Sequence, residues 1–155
     1  MADILTSEVK ELLAQPGTLK SIATVGKDGI PHVVYKGSLH AEGDKLVFDE
    51  ILESSQNNKN LVYSHWFGKK VAVNILGNDR TSYEVIGTLE KVIACGRKFE
   101  EEYVALQEKI PDAELSGIWY IQPESVKNVT FKVRKEEQDR DYPVLYHLDR
   151  LAKEK

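Results

Sequence analysis

The chain of 155 residues has 41% hydrophobic and 30% charged residues, a balance ordinary for globular proteins that excludes disordered and fibrous classes. A formal net charge of −4 leaves no broad basic face for nucleic acid or an anionic membrane, and a single cysteine, Cys95, excludes an internal disulfide and a cysteine-built zinc cage. No basic region followed by an apolar run opens the chain, and no apolar stretch approaches the roughly 20 residues of a membrane span, so a cytoplasmic protein with small-molecule or protein partners is expected.

A chain of this length buries roughly 70% of its unfolded surface, so one domain over residues 1–155 is expected. Ile4 to Ala14 has apolar residues at helical spacing, with Thr6 or Ser7 to cap the first turn and Pro16-Gly17 to end it. Leu19 to Val25 reads as a strand, and Lys27-Asp28-Gly29 as a hairpin turn. Ile30 to Leu39 is the returning strand, with Val33-Val34-Tyr35 as its core and Lys36-Gly37-Ser38 after it. Glu42 to Lys45 turns again into the short strand Leu46-Val47-Phe48. Asp49 to Lys59 is polar and rich in Ser and Asn, a loop leading into a helix that Asn60, Leu61, Val62 and Trp66 continue.

Val71 to Leu76 is a nearly continuous apolar run, which predicts a central strand buried on both faces. Ser82 to Ala94 is a long strand in which Gly87 marks a bulge or a close backbone approach, and Cys95 is expected as a small buried group in a strand. Phe99, Tyr103, Leu106 and Ile110 recur at helical spacing, with Glu100 to Glu102 suiting the first turn and Pro111 ending the helix. Ile118 to Ile121 and Val126 to Val133 are the last strand segments, broken at Gln122-Pro123-Glu124-Ser125. A charged connector, Lys135 to Asp141, and a short amphipathic pattern at Val144, Leu145, Leu148 and Leu151 close the chain. Mostly antiparallel strands, about six or seven, joined by hairpins tend to close into a barrel, because closure removes unpaired edges.

One stretch combines polar side chains with a strand edge and a helix start. Lys36-Gly37-Ser38 offers backbone amides beside a glycine that permits close approach, and Ser54 to Lys59 offers the unpaired donors of a helix N-terminus. The pattern suits the ring edge and the phosphate of a flavin mononucleotide; it equally suits a polar helix cap and a solvated hairpin. The four histidines, His32, His40, His65 and His147, make no metal motif, although one alone suffices to ligate haem. Trp119 and Tyr120 read as core, with the alternative that an aromatic there covers a flat ring. No glycine-elbow serine or phosphate-binding loop is present, and no carboxylate pair is placed in sequence to act as acid and base.

Taken together, Ile22-Ala23-Thr24-Val25, Asp28 to Val34, Lys36-Gly37-Ser38-Leu39, Leu46-Val47-Phe48, Asn60-Leu61 and Val71-Ala72-Val73 resemble, in order and spacing over about residues 19–133, the pyridoxamine 5'-phosphate oxidase-like, FMN-binding split-barrel family. The resemblance implies a six-stranded antiparallel split β-barrel with peripheral helices. It also implies a homodimer with FMN at the subunit interface and an oxidoreductase or electron-transfer role with a small-molecule donor or acceptor. Haem-handling members of the family make a haem- or flavin-holding module the alternative. By position, Lys36, Gly37 and Ser38 match the strand lining the flavin, Asp49, Glu50 and Ile51 the segment facing its ring, and Ser55, Gln56 and Asn57 the phosphate motif. The family carries Arg or Lys where Gln56 stands and Thr or Lys where Asn57 stands; an amide donates hydrogen bonds but lacks the charge, which Lys59 or Lys36 would supply. No match to the C-terminal Trp and Arg segment of true pyridoxamine phosphate oxidases is found, which argues against vitamin B6 synthesis. Residues 134–155 lie outside the resemblance and are expected as a partly helical extension.

Overall fold

Side-chain alternation along the strands organises the molecule, and the computed structural model describes it over residues 3–143. In order, the elements are α1 (Ser7–Ala14), β1 (Leu19–Val25), β2 (Pro31–Tyr35), β3 (His40–Glu42), β4 (Lys45–Glu50), α2 (Gln56–Phe67), β5 (Lys70–Leu76), β6 (Ser82–Ile93), α3 (Arg97–Lys109), β7 (Gly117–Asn128) and α4 (Phe131–Asp141). Thr6 caps α1 by accepting the Val9 N–H at 3.4 Å. The β1–β2 reversal is made by Gly29 at φ +75°, a conformation glycine adopts without a Cβ clash.

The strands form one antiparallel sheet in the order β2-β1-β5-β6-β7-β4-β3. The expectation of six strands closing into a barrel is therefore corrected: there are seven, the extra one being the short β3 paired with β4, and the ladder stays open between β2 and β3. The chain between those two edges is a tight turn in which the Leu39 N–H bonds the Lys36 carbonyl at 3.1 Å, so these groups are used locally rather than across a β2–β3 ladder. Lys36-Gly37-Ser38 is accordingly turn, not strand.

The inner face of the curled sheet is filled by Ile22, Phe48, Val73, Val85, Trp119 and Ile121, with Leu12 of α1 and Leu61 of α2 packed onto it. A second cluster lies on the opposite face of β4 and β7, where Val47, Ile118 and Tyr120 meet Leu106 of α3 and the following Ala113 and Leu115. The strands buried on both faces are thus β4 and β7, whereas the apolar run of β5 alternates between buried and more exposed positions. An α-helix on the second face, not apolar content, makes that difference.

Other expectations change for equally local reasons. Val33 and Tyr35 face outward, 67% and 70% exposed, because β2 is an edge strand with one covered face. Cys95 is exposed in the loop after β6. The proposed break at Pro123 is a bulge within one continuous strand: Ile86 pairs with Ser125 and Gly87 with Pro123, leaving Glu124 as the extra residue. A Cβ on Gly87 would lie 2.4 Å from the Gln122 carbonyl oxygen, which explains why glycine sits there. Phe131 to Asp141 forms α4 rather than a strand end and a connector, braced by Arg134–Glu137 and Lys135–Asp139 ion pairs one turn apart. The Val144 to Leu151 pattern lies outside the described residues. Among the described residues, no helix is long and apolar enough to cross a membrane, and no group of three His, Cys, Asp or Glu side chains is placed to hold a metal ion.

Candidate functional site

Two consecutive carboxylates end β4, and the pleat sends them to opposite faces. Glu50 shares the face of Leu46 and Phe48 and reaches the start of α2. Its side chain, in a residue 1% exposed, pairs with Lys36 Nζ at 2.9 Å, accepts from Asn57 Nδ2 at 2.7 Å, and accepts from the Ser55 hydroxyl at 3.1 Å. Ser55 in turn caps α2 by accepting the Asn58 N–H at 3.0 Å. Lys36 arrives here because it continues the inward parity of His32 and Val34 along β2. These residues, with Ile51 and Gln56, line a cavity of about 570 Å³.

Asp49 turns the other way, with Val47, towards α3. Its N–H donates to Ser38 Oγ at 2.9 Å, and it borders a second cleft of about 580 Å³ with Lys36, Gly37, Ser38, Ile51 and Glu102. Burial, and then the neighbouring Glu102 carboxylate, push the Asp49 carboxyl up to about 7 against the opposing pull of His40 and Lys109. Lys20, on the same cleft, is held below the ordinary lysine range by burial. His40 is oriented by Nδ1 contacting the Ser38 carbonyl at 2.8 Å and Nε2 contacting Glu42 at 3.1 Å.

The structure therefore brings Lys36, Glu50, Ile51, Ser55, Gln56 and Asn57 to one cleft and Lys36, Gly37, Ser38, Asp49 and Ile51 to the adjoining one. Gln56 donates to Asn60 at 2.8 Å, and Asn60 donates to Thr24 at 3.1 Å, so this amide chain ties α2 to β1. Lys59 is exposed and borders neither cleft. Trp119 is 3% exposed on the inner face of β7, edge-on to His65 with ring centroids 6.0 Å apart, and borders a separate cavity of about 210 Å³. The sequence reading missed Glu102, Lys20 and Lys109. For Glu102 a signal existed: it lies three residues after Phe99 and four before Leu106, which places it on the same helix face as those apolar residues.

The clefts have the volume of a small-molecule site, with Val34, Ile51 and Ala113 as apolar wall. The side-chain donors at the start of α2 are a different matter. Lys36, Ser55 and Asn57 all engage the Glu50 carboxylate, whose charge also meets the positive end of the helix. As arranged, this donor set does not fit a phosphate dianion, because its cation and its amide and hydroxyl donors are already committed to Glu50.

No family model matches the chain. It is 22% identical over 153 residues to the tRNA-specific 2-thiouridylase MnmA of Chlamydia abortus, a match covering 94% of this chain but only 41% of that protein's length. Among solved structures, a putative pyridoxamine 5'-phosphate oxidase from Lactobacillus delbrueckii superposes with a TM-score of 0.61 and 25% identity over 81% of this chain and 95% of the other. An FMN-binding protein from Syntrophomonas wolfei gives 0.63 and 14% over 79% and 84%, and the heme storage protein HutZ from Vibrio cholerae gives 0.58 and 16% over 80% and 94%. Identities this low establish a shared fold.

Proposed function

Because this chain has the fold of the pyridoxamine 5'-phosphate oxidase-like split-barrel family, we propose that it binds a flavin in the two joined clefts and serves as an oxidoreductase or electron carrier for a small molecule. The observation that carries this reading is the convergence of the Lys36 to Ser38 turn, the end of β4 and the start of α2 on adjoining clefts that share Lys36 and Ile51. When bound, the isoalloxazine ring supplies the electron chemistry. The chain's own part is to bind, orient and shield: Ile51 and Ile110 wall both clefts, the Gly37 position leaves open space for a close approach, and the Asp49 carboxyl holds a proton near neutral pH.

Titration of the purified chain with flavins, followed by quenching of flavin fluorescence, is expected to show uptake at micromolar concentration. The absence of flavin uptake would end this reading. If hemin instead gave a Soret band that disappears in His32→Ala, the haem-holding alternative would stand in its place, since His32 borders the first cleft and one histidine suffices as a ligand.

We also propose a homodimer. Val33 and Tyr35 on β2, beside Leu19 and Val25 on β1, leave an apolar outer face at the sheet edge with Leu19 51% and Val25 42% exposed. Such a face is ordinarily covered by a partner. The inward residues of the same β2 strand line the first cleft, so a partner seated there would border the cofactor. Sedimentation at micromolar concentration should show a dimer, and the pair Val33→Asp with Tyr35→Asp a monomer; a monomeric parent chain would refute the interface.

A further inference from the structure

The internal salt bridge at the start of α2 carries an inference about which ligand tail the cleft takes, and it rests on the flavin reading above. A site for a phosphate offers uncommitted donors and a surplus of positive charge. Here the cation and the carboxylate cancel, since Lys36 Nζ lies 2.9 Å from Glu50 Oε2. The remaining side-chain donors are also taken, with Asn57 Nδ2 at 2.7 Å and Ser55 Oγ at 3.1 Å from the same carboxylate. Glu50 is 1% exposed, so its charge is not diluted by bulk water.

A second observation concerns the other end of the Asn57 amide. Donation from Nδ2 to a carboxylate settles the orientation of the group, because the flipped amide would set its oxygen against Glu50. That leaves Asn57 Oδ1 facing away, in a residue 1% exposed, with no hydrogen-bond partner. Asn57 Oδ1 is itself buried and does not open onto the cleft, so at this end no side-chain donor is left free for a phosphate.

We propose that the α2 end of the cleft selects an uncharged tail and discriminates against a phosphate, so that the flavin it takes is riboflavin in preference to flavin mononucleotide. Glu50 is the specificity-determining residue, because it commits Lys36, Asn57 and Ser55, which would otherwise be free to meet a phosphate.

The test is a pair of titrations of the full chain, with riboflavin and with flavin mononucleotide, followed by flavin fluorescence. Riboflavin is expected to bind at least about tenfold more tightly, since a phosphate would lose hydration with no free side-chain donor or cation to meet it. In Glu50→Gln, whose amide oxygen can still accept from Asn57 while its NH2 donates to the Ser55 hydroxyl oxygen, the preference is expected to shrink at least threefold, largely through tighter binding of the mononucleotide. If the parent chain binds flavin mononucleotide as tightly as riboflavin or more so, the tail selection is overturned while the flavin reading survives. If neither flavin binds, both fall. The comparison on the parent chain decides the matter even if the variant does not fold.

Discussion

Replacing Lys36 by Met is expected to lower the unfolding free energy by about 3–5 kcal/mol, the cost of leaving one charge of a buried pair without its partner. For a chain of this size that corresponds to a fall in melting temperature on the order of 10 °C. The magnitude follows from the surroundings of Glu50. Its side chain is 2% exposed and the Lys36 side chain 13%, so water cannot replace the missing ammonium. Ser55 and Asn57 still donate to the carboxylate, which is why the loss should sit inside that range rather than beyond it. Adding Glu50→Gln to Lys36→Met should restore most of the stability, because the amide oxygen still accepts from α2 and no charge remains buried. Chemical denaturation of the single and double variants measures the cycle. A single-variant loss below about 1 kcal/mol would mean that the pair behaves as an exposed one.

Asp49→Asn should act in the opposite direction and only above acidic pH. The Asp49 carboxyl is raised from 3.8 to about 7 in the folded protein, by burial first and by Glu102 second. Between those two values the folded state holds a proton that the unfolded chain has released. Stability contributed by the neutral carboxyl is thus fully present below about pH 4, declines as pH rises, and is lost by about pH 7. The asparagine amide does not ionise, so the variant should be more stable than the parent at pH 8 and little different at pH 4. The gain at pH 8 has a ceiling of about 4 kcal/mol, because a pKa difference of one is worth about 1.4 kcal/mol, and water at the mouth of the cleft lowers it from there. Denaturant titrations at the two pH values decide it. A gain of equal size at both would show that the effect is packing, and a loss at pH 8 would show that the ionised Asp49 is supported by contacts other than those with Glu102.

The contrast between Asp49 and Glu50 shows how much of the site could be read from residues alone. Their adjacency after a short apolar strand, followed by a polar helix start rich in Ser and Asn, was legible, whereas Ser55 as the cap of that helix was not singled out. Lys36 was equally visible as a cation late in the returning strand; that this strand is an edge came only from the sheet order. What local pattern could not supply was the partner of each carboxylate. Glu50 meets Lys36 only because β2 and β4 lie on either side of one cleft, and Asp49 meets Glu102 only because α3 folds back over the second face of β4. Trp119 was readable as a large aromatic on a strand, but its face was not, because the face depends on the register with β4 and β6.

By itself the sequence indicated α1, β1, the middle of β2 and of β4, β5, β6 and α3, the turns at Gly29 and Gly43, and the polar stretch from Lys36 to Asn57. These rest on periodicity, caps and glycine turns, which act over a few residues and are written locally, whereas the expectation of a pyridoxamine 5'-phosphate oxidase-like fold came from the resemblance of the ordered motifs. Tertiary structure alone decided the seventh strand and the open ladder, the exposure of Val33, Tyr35 and Cys95, the helix at Phe131, and the separation of Trp119 and Lys59 from the clefts. It also decided that the donors at the start of α2 would be spent on Glu50. Each depends on which distant surfaces meet, and both burial and charge are properties of that meeting rather than of the residues before it.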